Sequence, residues 1–187
     1  MVALVLAGTD DQKHFAMCAL TSLAKGYDEA CVLIARGEGI PLLVAVVHSG
    51  IDANKQHAII ALAYLTVNND ANCLVMEHEG GISSLVQLLR EGTSDHKQLA
   101  ACGLGSLATN NESNLGAIGR TGAIPPLIEL VRVGTDAQKM EAAYTLGEIA
   151  RKNHHNRSAI RRKGGVQPLV ALLRSGADDQ KECAVYA

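Results

Sequence analysis

The chain has no tryptophan, one phenylalanine, four tyrosines and four prolines among 187 residues, although hydrophobic types make up 48%. A core built without large aromatics must be assembled from Leu, Ile, Val and Ala, which suits close helix packing. The five cysteines show no C-x-x-C or other metal spacing. An odd set of scattered thiols reads as reduced and intracellular, in cytoplasm or nucleus. Cys18 and Cys102 are expected to be small buried hydrophobes, as are Cys31 and Cys73. A net charge of −2 argues against a general polyanion binder. No segment is long enough to span a membrane. Residues 1–7 are apolar but lack a basic flank and the length of a signal peptide, so they read as the tail of a helix. There is no G-x-S-x-G and no phosphate loop, and nothing places a Ser, His and Asp together. We therefore expect no enzyme activity, no cofactor, no metal and no small-molecule substrate. The glycines of Gly103-x-Gly105 read as packing positions inside a helix.

What the chain does have is a period. Glycine recurs every 42 residues at Gly8, Gly50, Gly92, Gly134 and Gly176. Lysine keeps the same phase at Lys13, Lys55, Lys97, Lys139 and Lys181. So do Ala16, Ala58, Ala100, Ala142 and Ala184, and Leu20, Leu62, Leu104 and Leu146. A fixed period of this length is the signature of a stacked-repeat solenoid. Such an array presents an extended binding surface in place of a pocket built for chemistry.

One unit shows the local logic. Ile124-Pro125-Pro126 opens an apolar run, Leu127, Ile128, Leu130 and Val131, that stops at Gly134. Proline is tolerated in a first turn, whose N–H groups lack partners anyway. Gly134 is expected to permit a left-handed cap. Thr135-Asp136 supplies a capping oxygen for a longer helix over about 137–152. Ala142, Ala143, Leu146, Ile149 and Ala150 keep helical spacing along it. Residues 153–156 are expected to break that helix. A short helix follows over about 157–162, and Gly164-Gly165 makes a tight corner. Three short helices per 42 residues give an all-α chain. The predicted division is a partial repeat at 1–38, repeats at 39–80, 81–122 and 123–164, and a partial repeat at 165–187. Both ends fall in mid-repeat, which reads as a fragment of a longer array whose cut ends could self-associate.

The residues Gly80-Gly81-Ile82, Leu85-Val86, Leu88-Leu89, Gly92, Lys97, Ala100, Leu104, Leu107-Ala108, Asn110-Asn111 and Asn114 make one nearly complete motif. This motif resembles the armadillo repeat, and its phase covers the whole chain. The resemblance implies a right-handed superhelix whose Lys-bearing third helices line a concave groove that holds extended peptides or partner proteins. In the importin-α branch a Trp and an Asn on each third helix form peptide-gripping ladders. The Trp position here holds Cys18, Ile60, Cys102, Tyr144 and Tyr186. The Asn position holds Ser22, Tyr64, Ser106 and Glu148. Neither ladder is present, so the cation–π part of basic-peptide recognition is missing. The strongly basic groove of the β-catenin branch is also absent. The resemblance therefore implies a general protein–protein interaction scaffold. Its candidate groove residues are Cys18, Ser22, Ile60, Tyr64, Cys102, Ser106, Tyr144 and Glu148. Two other readings stand beside it: a transport adaptor, and the interaction module of a larger enzyme or regulator.

Four further features stand out. The lysine row follows Asp10, Asp52, Asp95, Asp136 and Asp178, and reads as a solvated helix edge more than as an acidic-partner rail. Arg151, Lys152, Arg157, Arg161, Arg162 and Lys163 put six of 17 basic residues within 13 positions. That patch suits a phosphate or an acidic peptide, but without interleaved aromatics it argues against nucleic acid. His154-His155 is expected to point its two rings apart and hold no metal. Asn68, Asn69, Asn72, Asn110, Asn111 and Asn114 read as caps.

Overall fold

A computed structural model describes residues 5, 7–26, 28–50, 52–66, 69–109 and 112–187. They form thirteen helices and, among the described residues, no strand. In chain order these are α1 (Asp10–Gly26), α2 (Asp28–Arg36), α3 (Gly39–Ser49), α4 (Asp52–Thr66), α5 (Asp70–His78), α6 (Gly81–Glu91) and α7 (Ser94–Ala108). Then follow α8 (Glu112–Arg120), α9 (Ile124–Val133), α10 (Asp136–Arg151), α11 (His154–Arg162), α12 (Val166–Ser175) and α13 (Asp178–Tyr186). The helices gather into two compact units, residues 1–84 and 85–187. Of the expected helix tail at the start, residues 1–4 and 6 lie outside the described residues, as do Asn68, Asn110 and Asn111.

In the first unit α1 and α4 pack side by side, and α3 packs across α4. The core is aliphatic: Met17, Leu43, Leu62, Leu65 and Met76 are almost wholly buried. Periodic Ala16 and Ala58 sit inside with Leu20 and Leu62, where small side chains let the helices close on one another. The lone phenylalanine, Phe15, is 72% exposed and plays no part in this core.

The second unit repeats the scheme. Long helices α7, α10 and α13 lie side by side, with α9 against α10 and α12 against α13. Leu85, Leu89, Leu104, Leu107, Ile118, Leu127 and Leu146 fill the interior, and Ala100 and Ala142 hold the alanine register. The proline-led start is as expected: α9 begins at Ile124 with its prolines in the first turn. Thr135 caps α10 by accepting from the Gln138 amide, while the Gln138 side chain accepts from the Thr135 amide at 2.9 Å. This reciprocal pair satisfies two otherwise orphaned donors.

Two local expectations are corrected. Gly134 is not left-handed: it is extended, with φ −69° and ψ 170°. Its glycine is required by space, because a Cβ would stand 2.5 Å from the Leu130 carbonyl oxygen and 2.9 Å from Gln138 Oε1. The left-handed glycine corners are Gly80, Gly122 and Gly164, with φ 76°, 82° and 77°. Second, the short helix does not wait for residue 157. The Asn153 side chain accepts from the Asn156 amide and starts α11 at His154.

The asparagines of the motif tie helices together. Asn72 Nδ2 donates to the Leu65 carbonyl at 2.6 Å, and Asn114 Nδ2 to the Leu107 carbonyl at 2.8 Å. Asn156 Nδ2 bridges the Leu115 and Ile149 carbonyls at 2.8 and 2.9 Å. The bonds to Leu65, Leu107 and Ile149 satisfy carbonyls near the end of a long helix from the following short one, and the bond to Leu115 reaches the short helix of the preceding repeat. No single helix is long and apolar enough to cross a membrane among the described residues.

Candidate functional site

The long helices carry the candidate side chains, and each unit presents its own set. On the first unit Cys18 and Ser22 lie one turn apart on α1, and Ile60 and Tyr64 one turn apart on α4. Ser22 is exposed, while Cys18, Ile60 and Tyr64 are half-buried. The helices are pinned beside this row: Thr21 Oγ1 donates to the Met17 carbonyl at 2.8 Å and lies 3.1 Å from the His57 carbonyl. Cys18 does not behave as a buried hydrophobe. Its Sγ lies 3.3 Å from His57 Nε2 and 3.7 Å from His14 Nε2. Burial, and then the neighbouring His14, hold His57 below the usual histidine range.

On the second unit Cys102 and Ser106 lie on α7, and Tyr144 and Glu148 on α10. Cys102 is exposed, which corrects the expectation that it fills a core gap. Partial desolvation pushes its thiol up, and the charge and hydrogen bond of Glu141 add to the effect. Glu141 is itself pushed up by desolvation, against which the Cys102 hydrogen bond acts. Cys183 on α13 is raised by desolvation and by Glu141, Glu182 and Asp179. Tyr144 is half-buried, with its hydroxyl 3.3 Å from Thr109 Oγ1. Beneath it, a Cβ on Gly105 would come within 2.7 Å of Thr145 Oγ1 and 3.2 Å of Tyr144 Cδ1, so Gly105 is what lets α7 and α10 close here.

Glu148 is the one expected groove residue that does not stand on the surface. It is 3% exposed, and its Oε2 accepts from Arg151 Nη2 at 3.1 Å. At helical spacing it follows Tyr144 by one turn, but the long helix has already turned it inward against its neighbours. The partly exposed row of this unit is thus Cys102, Ser106 and Tyr144, with half-buried Glu141 as its carboxylate.

The basic cluster is partly consumed by the fold. Arg151 pairs with Glu148, and Lys152 Nζ lies 3.3 Å from Glu112 Oε1. Arg157 Nη1 donates to the Ala150 carbonyl at 2.8 Å and to the Arg151 carbonyl at 3.2 Å, closing the C-terminal end of α10. Arg161, Arg162 and Lys163 are exposed at the end of α11. The His154 and His155 rings do not diverge as expected: their centroids lie 3.9 Å apart. In the lysine row, Lys181 lies 3.5 Å from Asp178, one turn before it.

Sequence reasoning missed His14, His57 and Glu141. The signals were available. His14 and Cys18 are four apart on one helix face, and Glu141 precedes Tyr144 by one turn. His57, Glu141 and Cys183 hold one phase of the 42-residue period. The structure shows that this phase faces the Cys18 and Cys102 phase of the preceding repeat.

No family model matches the sequence, and no curated protein matches it. Solved structures do. A designed armadillo repeat protein in complex with the peptide (KR)4 is similar at TM-score 0.89 and 22% identity, over 100% of this chain and 78% of its own. An engineered protein is similar at TM-score 0.89 and 27% identity, over 100% of this chain and 75% of its own. Computationally designed armadillo repeat proteins for modular peptide recognition are similar at TM-score 0.83 and 20% identity, over 99% and 78%.

Proposed function

Because the chain adopts the armadillo-repeat fold, we propose that it is a non-catalytic scaffold that binds an extended polypeptide segment of a partner protein on the exposed faces of its long helices. The observation that carries this reading is the Cys102, Ser106, Glu141 and Tyr144 row on α7 and α10. Partly exposed side chains, one set per repeat, leave apolar area beside hydroxyls and a carboxylate. A tyrosine with a wet tip and a buried ring is a common anchor in binding surfaces. An extended chain advances ~3.3 Å per residue, so side chains on stacked helices ~10 Å apart meet every third residue or so. The solved structures that resemble this chain include one that holds a peptide, which supports the same use of the fold here.

The carboxylate gives the surface a preference. Glu141 is half-buried and beside two thiols, so a lysine or arginine of the ligand would stabilise its charged form and offset the cost of its desolvation. The ligand we expect is therefore an extended segment with at least one basic residue, held by a few contacts and not by indole ladders. The test is selection from a displayed library of extended peptides against the purified chain, followed by titration of the winners against Tyr144→Ala and Ser106→Arg variants whose helicity is intact by circular dichroism. Both variants should weaken the winners by tenfold or more, the ~1.4 kcal/mol step of one lost anchor. Selected peptides that bind both variants as tightly as the parent would refute the assignment.

A further inference from the structure

We infer that His14, Cys18 and His57 form a site for one divalent transition ion of the zinc type on the first unit, tying α1 to α4. The three ligand atoms all lie within 4.8 Å of one another. His57 Nε2 is 3.3 Å from the thiol sulfur and His14 Nε2 is 3.7 Å from it. A tetrahedral zinc ion with ~2.3 Å bonds to sulfur and ~2.05 Å bonds to nitrogen sets the S···N edge at about 3.6 Å. The two edges seen here bracket that value. His14 and Cys18 approach from one helix face at i, i+4, and His57 arrives from the facing helix, so two packed helices bring the three side chains together.

Two imidazole nitrogens converge on one thiol sulfur, which is a weak donor and a weak acceptor and so holds them only loosely as a hydrogen-bond partner. His57 Nδ1 is buried without a hydrogen-bond partner, so its ring has only the sulfur to satisfy it. The rings of His14 and His57 stand edge to face with centroids 5.4 Å apart, which leaves both Nε2 atoms turned to the same point. The cluster is also specific to this pair of repeats. At the matching phase of the second unit, Gln98 replaces His14, Cys102 replaces Cys18 and Glu141 replaces His57. Softness selects the ion: one thiolate and two imidazoles favour zinc-like ions over magnesium or calcium. Binding takes the proton from the Cys18 thiol and releases it to solvent, so affinity rises with pH. Water completes the fourth position, because the cluster is half-exposed.

The experiment uses the whole chain, stripped with a chelator in a non-thiol reductant. Cobalt(II) is added as the spectroscopic probe, and zinc(II) is measured by competition with a chromophoric chelator. One equivalent of cobalt should give tetrahedral d–d bands with thiolate-to-cobalt charge transfer, displaced by zinc. Cys18→Ser should abolish the charge-transfer band and weaken zinc by more than about 100-fold, beyond the range that loss of an outer-shell partner produces. Cys102→Ser should leave both unchanged. In the unsubstituted chain, zinc should protect Cys18 from alkylation and leave Cys102 open, a readout that does not depend on any variant folding. Absence of cobalt–thiolate charge transfer, its persistence in Cys18→Ser, or protection of a different cysteine would overturn the site.

Discussion

Glu38 and Gly80 stand 42 residues apart at the same corner of successive repeats, and both carry a left-handed backbone, with φ 58° and 76°. An L side chain in that region costs about 1–2 kcal/mol, and a glycine avoids the clash while losing more chain entropy. Glu38→Gly should therefore stabilise the first unit by about 0.5–1 kcal/mol. Its urea midpoint should rise with an unchanged slope. A lower midpoint would mean that the Glu38 side chain makes a contact outweighing its backbone strain.

A second register position separates the two units. Gln138 Nε2 reaches back 44 residues to the Ser94 carbonyl and Oγ at 2.8 and 3.1 Å, and Gln180 Nε2 reaches the Asp136 carbonyl at 3.1 Å. Asn54 holds this position in the first unit, one methylene shorter. Its Oδ1 is buried without a partner, beside a cavity of about 300 Å³ that Asp10, Lys13 and Val46 help to line. Gln138→Ala should cost about 0.5–1.5 kcal/mol, since it removes the bonds to Ser94 and to the Thr135 amide, both on exposed residues. Asn54→Gln should gain about 0.5–1.5 kcal/mol by restoring the reach. Chemical denaturation of both variants checks the pair, and a loss in Asn54→Gln would contradict it.

Gly105→Ala tests the close approach under Tyr144. The added methyl would meet Thr145 Oγ1, whose hydroxyl is committed to the Ala101 carbonyl at 2.8 Å. Overpacking of this kind costs about 1–3 kcal/mol. It should also shift the Tyr144 ring, so peptide affinity falls along with thermal stability. A neutral outcome on both would show that α7 and α10 can separate without penalty.

Glu141→Gln carries a pH signature. Desolvation raises the Glu141 pKa above its ordinary 4.5, so its charged form opposes folding. That penalty is absent below the unfolded value and fully present above the folded one. Glu141→Gln should thus raise the thermal midpoint at pH 7, with the gain fading as the pH falls toward 4. The same change removes the charge that raises the Cys102 thiol, so Cys102 should alkylate faster. An unchanged alkylation rate would mean desolvation alone sets that thiol.

Much of this architecture was legible in the residues. Ala58, Ala100, Leu62 and Leu104 announced both the period and the core, because stacked repeats must bury the same positions each time. Thr135 and Pro125 marked helix starts through local chemistry that depends only on near neighbours. What the period could not show was where each register position turns. Glu148 sits on the same helical row as Tyr144, yet only the packing of the folded unit decides that one is buried and the other half-open. The meeting of Cys18 with His57 joins residues 39 apart, and it appears once two long helices are laid side by side. Gly134 misled for a related reason: its extended backbone is common to any residue, and its need for glycine lies in the neighbouring carbonyl.

The most direct test of the scaffold reading is photo-cross-linking of a selected extended peptide, bearing a photoreactive residue at its centre, to the unsubstituted chain, with the labelled residues identified by mass spectrometry. The account predicts labels on α7 and α10, concentrated between Cys102 and Ser106 and around Glu141 and Tyr144. Labels confined to α9, α12 or the Arg161-Arg162-Lys163 end of α11 would contradict it.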